Sequence, residues 1–351
     1  MRILFLPGSY TSPSARYRLW QFVGPLRSLG HSVDVRVICP PRPWGSRLKS
    51  AQLRRAHTYL GSLSRVISAL WMLRDAEKFD VIMMNRDIVP ETRVSFLEPW
   101  LAERNPRIIF DFDDAIHLGA RQRKLRKILP FFSCITPGND FLAEFACQIH
   151  KNVIVLPTVI DTDHYSVVGW RVPGKIRLGW TGSESTARNH LPLLEPILIE
   201  LARREDFEFI VVSAENPQLK LPGVDWRFIP WSSHTEVHSV QMMDIGLMPL
   251  LDKPHERGKC GLKAIQYMGV GIPAVVSPVG ANKDIVVDGV TGFHATSEQE
   301  WVDKIGMLMN DPGLRKTMGL TGRRHVEAHY SVRSLLPQMI NVFEQVQASH
   351  S

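Results

Sequence analysis

The sequence predicts an α/β protein of two Rossmann-like domains facing across a cleft. Three observations carry that prediction. Short apolar strands alternate with longer amphipathic stretches, the pattern of parallel sheets covered by helices on both faces. The series runs once as far as Pro157, breaks over Asp161–Pro173 and restarts with Ile176–Trp180. A chain of 351 residues also exceeds the ~250–300 residues at which single cores stop growing.

In the first half, Ile3–Leu6 reads as a strand, followed by a loop to about Pro13 and a helix over Ala15–Leu29 that stops at Gly30. Val33–Ile38 is the second strand. The basic stretch from Leu48 to Lys78 reads as helical, and strands follow at Val81–Met84, Ile108–Phe110 and Ser133–Thr136. Asn139 or Asp140 opens the next helix, and Val153–Pro157 closes this half. After Ile176–Trp180 come a helix at His190–Arg204 and strands at Phe207–Ser213, Trp226–Ile229 and Ile245–Pro249. A helix at Gly261–Met268, a strand at Pro273–Ser277 and helices at Glu298–Met309, Pro312–His329 and Val332–Val346 complete the series. The expected division is residues 1–165, residues 166–330, and a C-terminal helix over 331–351 that crosses back to the first domain. Two such units place the expected site in the cleft, at the C-terminal ends of the strands.

The four cysteines, Cys39, Cys134, Cys147 and Cys260, are scattered, a spacing that suggests neither a zinc site nor a disulfide framework. The apolar run of the N-terminus breaks at Pro7-Gly8, too short for a signal peptide, and no apolar run reaches the ~18 residues of a membrane span. A cytoplasmic location is expected. Residues 1–160 hold 23 Lys and Arg against 13 Asp and Glu, whereas residues 161–351 hold 19 against 22. The basic half suits an anionic partner (a lipid surface, a lipid-phosphate acceptor or an acidic glycan) or is a solvated face.

The most informative stretch runs from Asp244 to Phe293. It reads as a strand, a glycine-bearing loop (Gly258-Lys259-Cys260-Gly261), a helix, a tight turn, a buried strand and a second loop at Gly280-Ala281-Asn282. The helix start offers unpaired N–H groups to an anion, and Lys259 and Lys263 flank it with charge that would neutralise a diphosphate. A second phosphate site is expected at Gly179-Trp180-Thr181-Gly182-Ser183, with Arg188 as its charge.

At these residues the sequence resembles the retaining glycosyltransferases of the large group 1, or family 4-like, class. The likeness is also seen at Val155–Asp161 and at Gly8–Arg18. It implies a GT-B-type fold, a nucleotide-sugar donor held by the second domain, transfer with retention, no required metal and no cofactor, the nucleotide sugar being a substrate. It also implies two glutamates separated by seven residues, of which the first contacts the sugar and the second the ribose. Here those positions are Gly258 and Gln266. Gln266 still offers hydrogen bonds to ribose; Gly258 cannot replace a carboxylate, and Glu256 stands nearby as a substitute with a shifted loop. Loss of both glutamates leaves a catalytically degenerate nucleotide-sugar-binding or scaffold protein as the alternative.

On the acceptor side, Gly8 and Arg16 sit at a strand-to-helix junction, Arg16 being favoured over Arg18 as nearer the helix start. In Phe110-Asp111-Phe112-Asp113-Asp114-Ala115-Ile116-His117 the acids follow a strand end, so Asp113 and Asp114 are the candidate catalytic carboxylates. Related enzymes often carry a histidine in this loop near the donor sugar, and His117 is the candidate. The basic run Arg121–Phe132 is a membrane-facing surface or a solvated helix face. No nucleic-acid motif accompanies it. The acceptor class is a glycan or a lipid-linked sugar. A nicotinamide-dependent oxidoreductase is disfavoured, because no Gly-x-Gly-x-x-Gly turn follows the first strand and Cys39-Pro40, not an acid, ends the second.

Overall fold

The structure, a computed structural model, describes residues 1–10, 12–38, 51–89, 95–167, 169 and 174–350. Thr11 in the first loop, Cys39-Pro40, the Leu48–Ser50 start of the basic stretch, and positions 168 and 170–173 of the expected linker lie outside the described residues. The chain divides into two compact units, Met1–Thr158 with Leu335–Ser351, and Val159–Ser334.

In unit 1, β1 (Arg2–Pro7), β2 (Ser32–Val35), β3 (Val81–Asn85), β4 (Ile108–Phe112) and β5 (Cys134–Pro137) form one parallel sheet in the order β2-β1-β3-β4-β5. The central strands β3 and β4 are buried at every position. That is why they read as continuous apolar runs, not as alternating ones. The expected helix after β1 is present but is not uniform. It runs as Pro13–Ala15, a π-helical turn Arg16–Trp20, and Gln21–Ser28. Asn139 caps Asp140–Cys147 by accepting from the Leu142 N–H at 3.0 Å. The helix Val332–Ala348 brings Phe343 edge-on to Phe5 of β1, centroids 6.4 Å apart.

A buried polar knot ties this sheet together. Asp111, fully buried in β4, accepts from Arg18 Nε at 3.0 Å and Nη2 at 2.5 Å, from Asn85 Nδ2 at 3.0 Å and from Thr136 Oγ1 at 2.9 Å. Arg18 Nη1 donates onward to the Leu156 carbonyl at 2.6 Å. Four segments of unit 1 therefore meet on one carboxylate, and Arg18, the alternative to Arg16, is committed to the core.

Unit 2 contains β6 (Ile176–Thr181), β7 (Phe207–Ser213), β8 (Asp225–Pro230), β9 (Ile245–Met248), β10 (Ala274–Val276) and β11 (Gly292–His294) in the parallel order β11-β10-β9-β6-β7-β8. This is the doubly wound order, reversing direction between β6 and β9. There the pairing covers only Leu178 with Ile245 and Gly179 with Gly246. Beyond it the strands part, and the Tyr267 hydroxyl bridges them, accepting from the Thr181 N–H at 3.1 Å and donating to the Leu247 carbonyl at 3.3 Å. The edge strand β8 alternates in exposure, and Arg227 pairs across it with Glu208 at 2.9 Å.

Several expected elements differ in detail. The helix at His190–Arg204 is two helices, Glu184–His190 and Glu195–Ala202, joined by a tighter turn at Leu191–Leu193. The break falls where Pro192 removes a backbone donor. The strand β11 and the helices Leu97–Arg104 and Glu236–Gln241 have no counterpart in the sequence reading; all are short, and Gly292 opens the strand.

Removing one partner of a buried, fully bonded ion pair strands the other, at a cost of about 3–5 kcal/mol. Asp111→Ala is therefore expected to lower the denaturant midpoint of unit 1 by a corresponding amount, read by urea unfolding followed by circular dichroism.

Candidate functional site

A set of polar groups in unit 2 gathers where β6 and β9 part, the place at which doubly wound sheets bind ligands. The Lys263 ammonium, on the helix Leu262–Gly269, lies 4.2 Å from the ring centroid of Trp180, a fully buried residue of β6. Gly182 makes this approach possible. A Cβ there would fall 2.5 Å from Trp180 Cη2 and 2.8 Å from Lys263 Nζ. Gly261 opens the helix in the left-handed region at φ 64°, where a side chain would be strained and would also collide with Ile285. Lys263 is partly exposed as a residue, but its ammonium is desolvated. Burial, and then the repulsion of Lys259, pull its pKa down from 10.5 to about 7.

His190 and Glu256 complete this set. His190, at the end of Glu184–His190, is almost fully buried, and its Nε2 lies 3.4 Å from Glu256 Oε1. Burial, followed by the Lys263 charge, lowers the His190 pKa to about 4, although Glu256 opposes the shift. His190 is thus neutral at pH 7 and donates to the carboxylate through Nε2. Glu256, in the short helix Pro254–Arg257, is turned inward and 7% exposed. Neither His190 nor its bond to Glu256 was foreseen; the only sequence signal was a histidine at the foot of the helix after the glycine turn.

The other expected donor residues divide. Ser183 caps its helix, accepting from the Thr186 N–H at 3.4 Å, and bonds the Thr186 hydroxyl at 2.7 Å. Arg188 is exposed and pairs with Glu184 one turn back at 3.1 Å, so the structure does not gather it with the lysines. Two residues on, at about 200° around the helix, His190 is buried instead. Gly280 lies against the Arg257 carbonyl, and Asn282 is buried with Nδ2 donating to the Ser277 carbonyl at 3.1 Å. Asn282 thus ties its own loop closed. Gln266 is buried and donates from Nε2 to the Tyr165 hydroxyl at 2.7 Å and to Glu236 Oε1 at 3.2 Å.

In unit 1 a second polar set sits past the ends of β1, β3 and β4. Asp113 accepts a short hydrogen bond from Ser14, whose hydroxyl also lies 3.0 Å from Asn85 Oδ1. Arg86 approaches Asp113 at 3.7 Å and Asp114 at 3.9 Å. It does so from a left-handed backbone at φ 70°, a conformation that costs a non-glycine residue energy and is found at functional turns. Sequence reading missed Arg86; an arginine directly after a buried strand was the available signal. Gly8 follows β1, and its Cα packs near the Asn85 carbonyl. Arg16 is half-buried with its guanidinium 5.2 Å from the Tyr17 ring centroid.

His117, the histidine expected near the donor sugar, is buried. It is 6% exposed, stacks on Phe145 with centroids 4.4 Å apart, and burial lowers its pKa. Its ring packs against Phe141 and Phe145 of the helix Asp140–Cys147, and its Nδ1 is buried without a hydrogen-bond partner among the described residues. Among the described residues, no three His, Cys, Asp or Glu are grouped so as to hold a metal. The basic run is also partly inward. Lys124 is buried, pairs with Asp87 at 2.5 Å and donates to the Val89 carbonyl at 2.8 Å, while Arg123, Arg126 and Lys127 are exposed.

Known proteins match parts of this sequence and its fold. Residues 175–311, most of unit 2, match the family described as Glycosyl transferases group 1. A capsular polysaccharide biosynthesis glycosyltransferase, CapM of Staphylococcus aureus, is 33% identical over 95 residues, 26% of this chain and 25% of that protein. A D-inositol 3-phosphate glycosyltransferase of Corynebacterium aurimucosum is 32% identical over 85 residues, 24% of this chain and 20% of that one. The matched region thus spans a quarter or less of these curated relatives. Among solved structures, sucrose-phosphate synthase of Thermosynechococcus elongatus superposes with a TM-score of 0.70 at 14% identity, covering 99% of this chain and 100% of that one. HepE of Anabaena, solved with UDP and glucose, gives 0.66 at 15% identity over 98% and 99% of the two chains. The fold is that of the GT-B glycosyltransferases, and unit 2 carries a group 1 glycosyl transferase domain.

The depressed Lys263 has a measurable consequence. Between pH 7 and 10.5 the unfolded chain binds the proton that the folded chain lacks, so this residue's contribution to stability rises with pH across that window. An anion that restores the ammonium must then draw a proton from solution. Calorimetric titration with a nucleoside diphosphate at pH 8, in buffers of different ionisation enthalpy, is expected to show net proton uptake that Lys263→Met abolishes.

Proposed function

We propose that this chain is a retaining, metal-independent glycosyltransferase that moves a sugar from a nucleotide-sugar donor, held by unit 2, to a glycan or lipid-linked acceptor. The observation that carries this reading is the desolvated Lys263 ammonium between Trp180 and the Gly182 turn, with Lys259 beside it. When the glycosidic bond to the diphosphate breaks, negative charge grows on the departing phosphates. Once the bound diphosphate has restored the Lys263 proton, fixed cations in a low-dielectric setting stabilise such charge without reorganisation. HepE, which shares the fold, was solved with UDP-glucose, which supports a nucleotide sugar as donor.

Glu256 takes the part of the sugar-contacting carboxylate that Gly258 cannot fill. It lies two residues earlier in the chain, and neutral His190 holds it inward. In unit 1, Asp113, Asp114 and Arg86 supply acceptors and a cation for acceptor hydroxyls, with Gly8 and Arg16 flanking them. A lipid-linked acceptor agrees with the surface of the same unit. Leu63, Ile67 and Trp71 are exposed at four-residue spacing on one face of the helix Ala51–Met72, and Arg74 lies 4.5 Å from the Trp71 ring centroid. Such a stripe suits an anionic membrane surface. Among the described residues, no helix is long and apolar enough to cross a membrane.

A thermal-shift panel of nucleoside diphosphates and nucleotide sugars, with and without magnesium, tests the donor site. Ligand at 100 times its Kd adds about 2.7 kcal/mol of stability. The expected result is a shift with one nucleotide family that is independent of magnesium and accompanied by sugar transfer. Lys263→Ala is expected to weaken binding by about 10- to 100-fold, the worth of a charge-assisted hydrogen bond. Unchanged donor affinity and turnover in that variant would remove Lys263 from the site. Binding without transfer or hydrolysis would favour the degenerate-protein alternative.

A further inference from the structure

The ribose position of the glutamate pair holds an amide, and its surroundings show why. Gln266 Nε2 donates to Glu236 Oε1 at 3.2 Å, and the Trp231 indole N–H donates to the same oxygen at 3.3 Å. A carboxylate oxygen only accepts, so the amide must present its nitrogen to Glu236. A glutamate at position 266 would set two carboxylates at this spacing and force one to be protonated. The negative charge has therefore not vanished from this part of unit 2; it lies one hydrogen bond away. Glu236 opens the helix that follows β8, past the C-terminal edge of the sheet, and is 7% exposed beside the exposed segment Ser233–Thr235.

Its placement also matches the phosphate site. Gln266 stands three residues beyond Lys263 on the same helix, so the two share a face about 5–6 Å apart at Cβ. One ligand can thus meet Lys263 with its diphosphate and the Gln266–Glu236 pair with the sugar to which the diphosphate is attached. We infer that Glu236 is the ribose-reading carboxylate of this chain, accepting from the 2′-hydroxyl of a bound nucleoside diphosphate while Gln266 and Trp231 hold it in position. The inference rests on the reading of unit 2 as a nucleotide-sugar site.

The test uses the full chain and isothermal titration with UDP, GDP and ADP, each beside its 2′-deoxy counterpart. The wild-type protein is expected to prefer one ribonucleotide over its deoxy form by about 10-fold or more, the worth of a hydrogen bond to a charged group. Glu236→Gln is expected to weaken that ribonucleotide to the level of the deoxy form, leaving the deoxy affinity nearly unchanged. The double variant Glu236→Gln/Gln266→Glu keeps an amide–carboxylate pair with the charge moved to position 266, and is expected to regain the preference. A merely structural role would weaken both ligands alike. If Glu236→Gln binds with an unchanged ribo-to-deoxy ratio, the assignment of Glu236 fails while the donor site stands. If the wild-type chain binds none of the six probes, the donor reading fails and this assignment with it.

Discussion

Both sheets are built only of parallel strands, and the arrangement of each unit follows from that constraint. A parallel neighbour cannot be reached by a hairpin; the chain must cross over a face and return to the starting end. Every strand of a sheet therefore releases its next loop at the same edge. Side chains distant in sequence, such as Ser14, Arg86 and Asp113, or Trp180, Glu256 and Lys263, are delivered together without further design. In unit 2 the reversal of strand order between β6 and β9 opens the sheet at that edge, and Tyr267 fills the opening from below.

What occupies that edge is governed by charge in a dry setting. Lys263 is desolvated and close to a second lysine, which disfavours its ammonium more than the Trp180 ring face favours it, until an anion arrives. His190 is kept neutral by the same burial and the same neighbours, so it adds a hydrogen-bond donor without adding repulsion. Glu256 and Glu236 each lie near a position where a glutamate would be expected but is missing, and each accepts from a neutral donor, His190 or Gln266.

Unit 1 spends its strongest polar group on architecture. Asp111 draws Arg18, Asn85 and Thr136 into one knot beneath the loop ends. Asp113 and Asp114, just past the end of the same strand, face a different set of partners. The three neighbouring carboxylates avoid mutual repulsion because each has its own environment: Asp111 with Arg18, Asp113 with Ser14 and Arg86, and Asp114 with the Ala115 N–H and Arg86.

The sequence by itself determined the fold class and nearly all long elements, since buried parallel strands and amphipathic helices imprint periodicities that need no knowledge of neighbours. Phe207–Ser213 and Pro312–His329 have the expected bounds. The Gly182 turn and the two lysines were also legible, because glycine and cation at a helix start are local signals. Short elements such as β11 were not, since three residues carry no period. The partners of each polar group were likewise hidden. Nothing local separates Arg16 from Arg18, stacks His117 on Phe145, or sets Glu236 against Gln266, thirty residues away. Only tertiary structure decides these, because burial and ion pairing depend on what the crossover connections bring within about 4 Å, a distance that sequence separation does not encode.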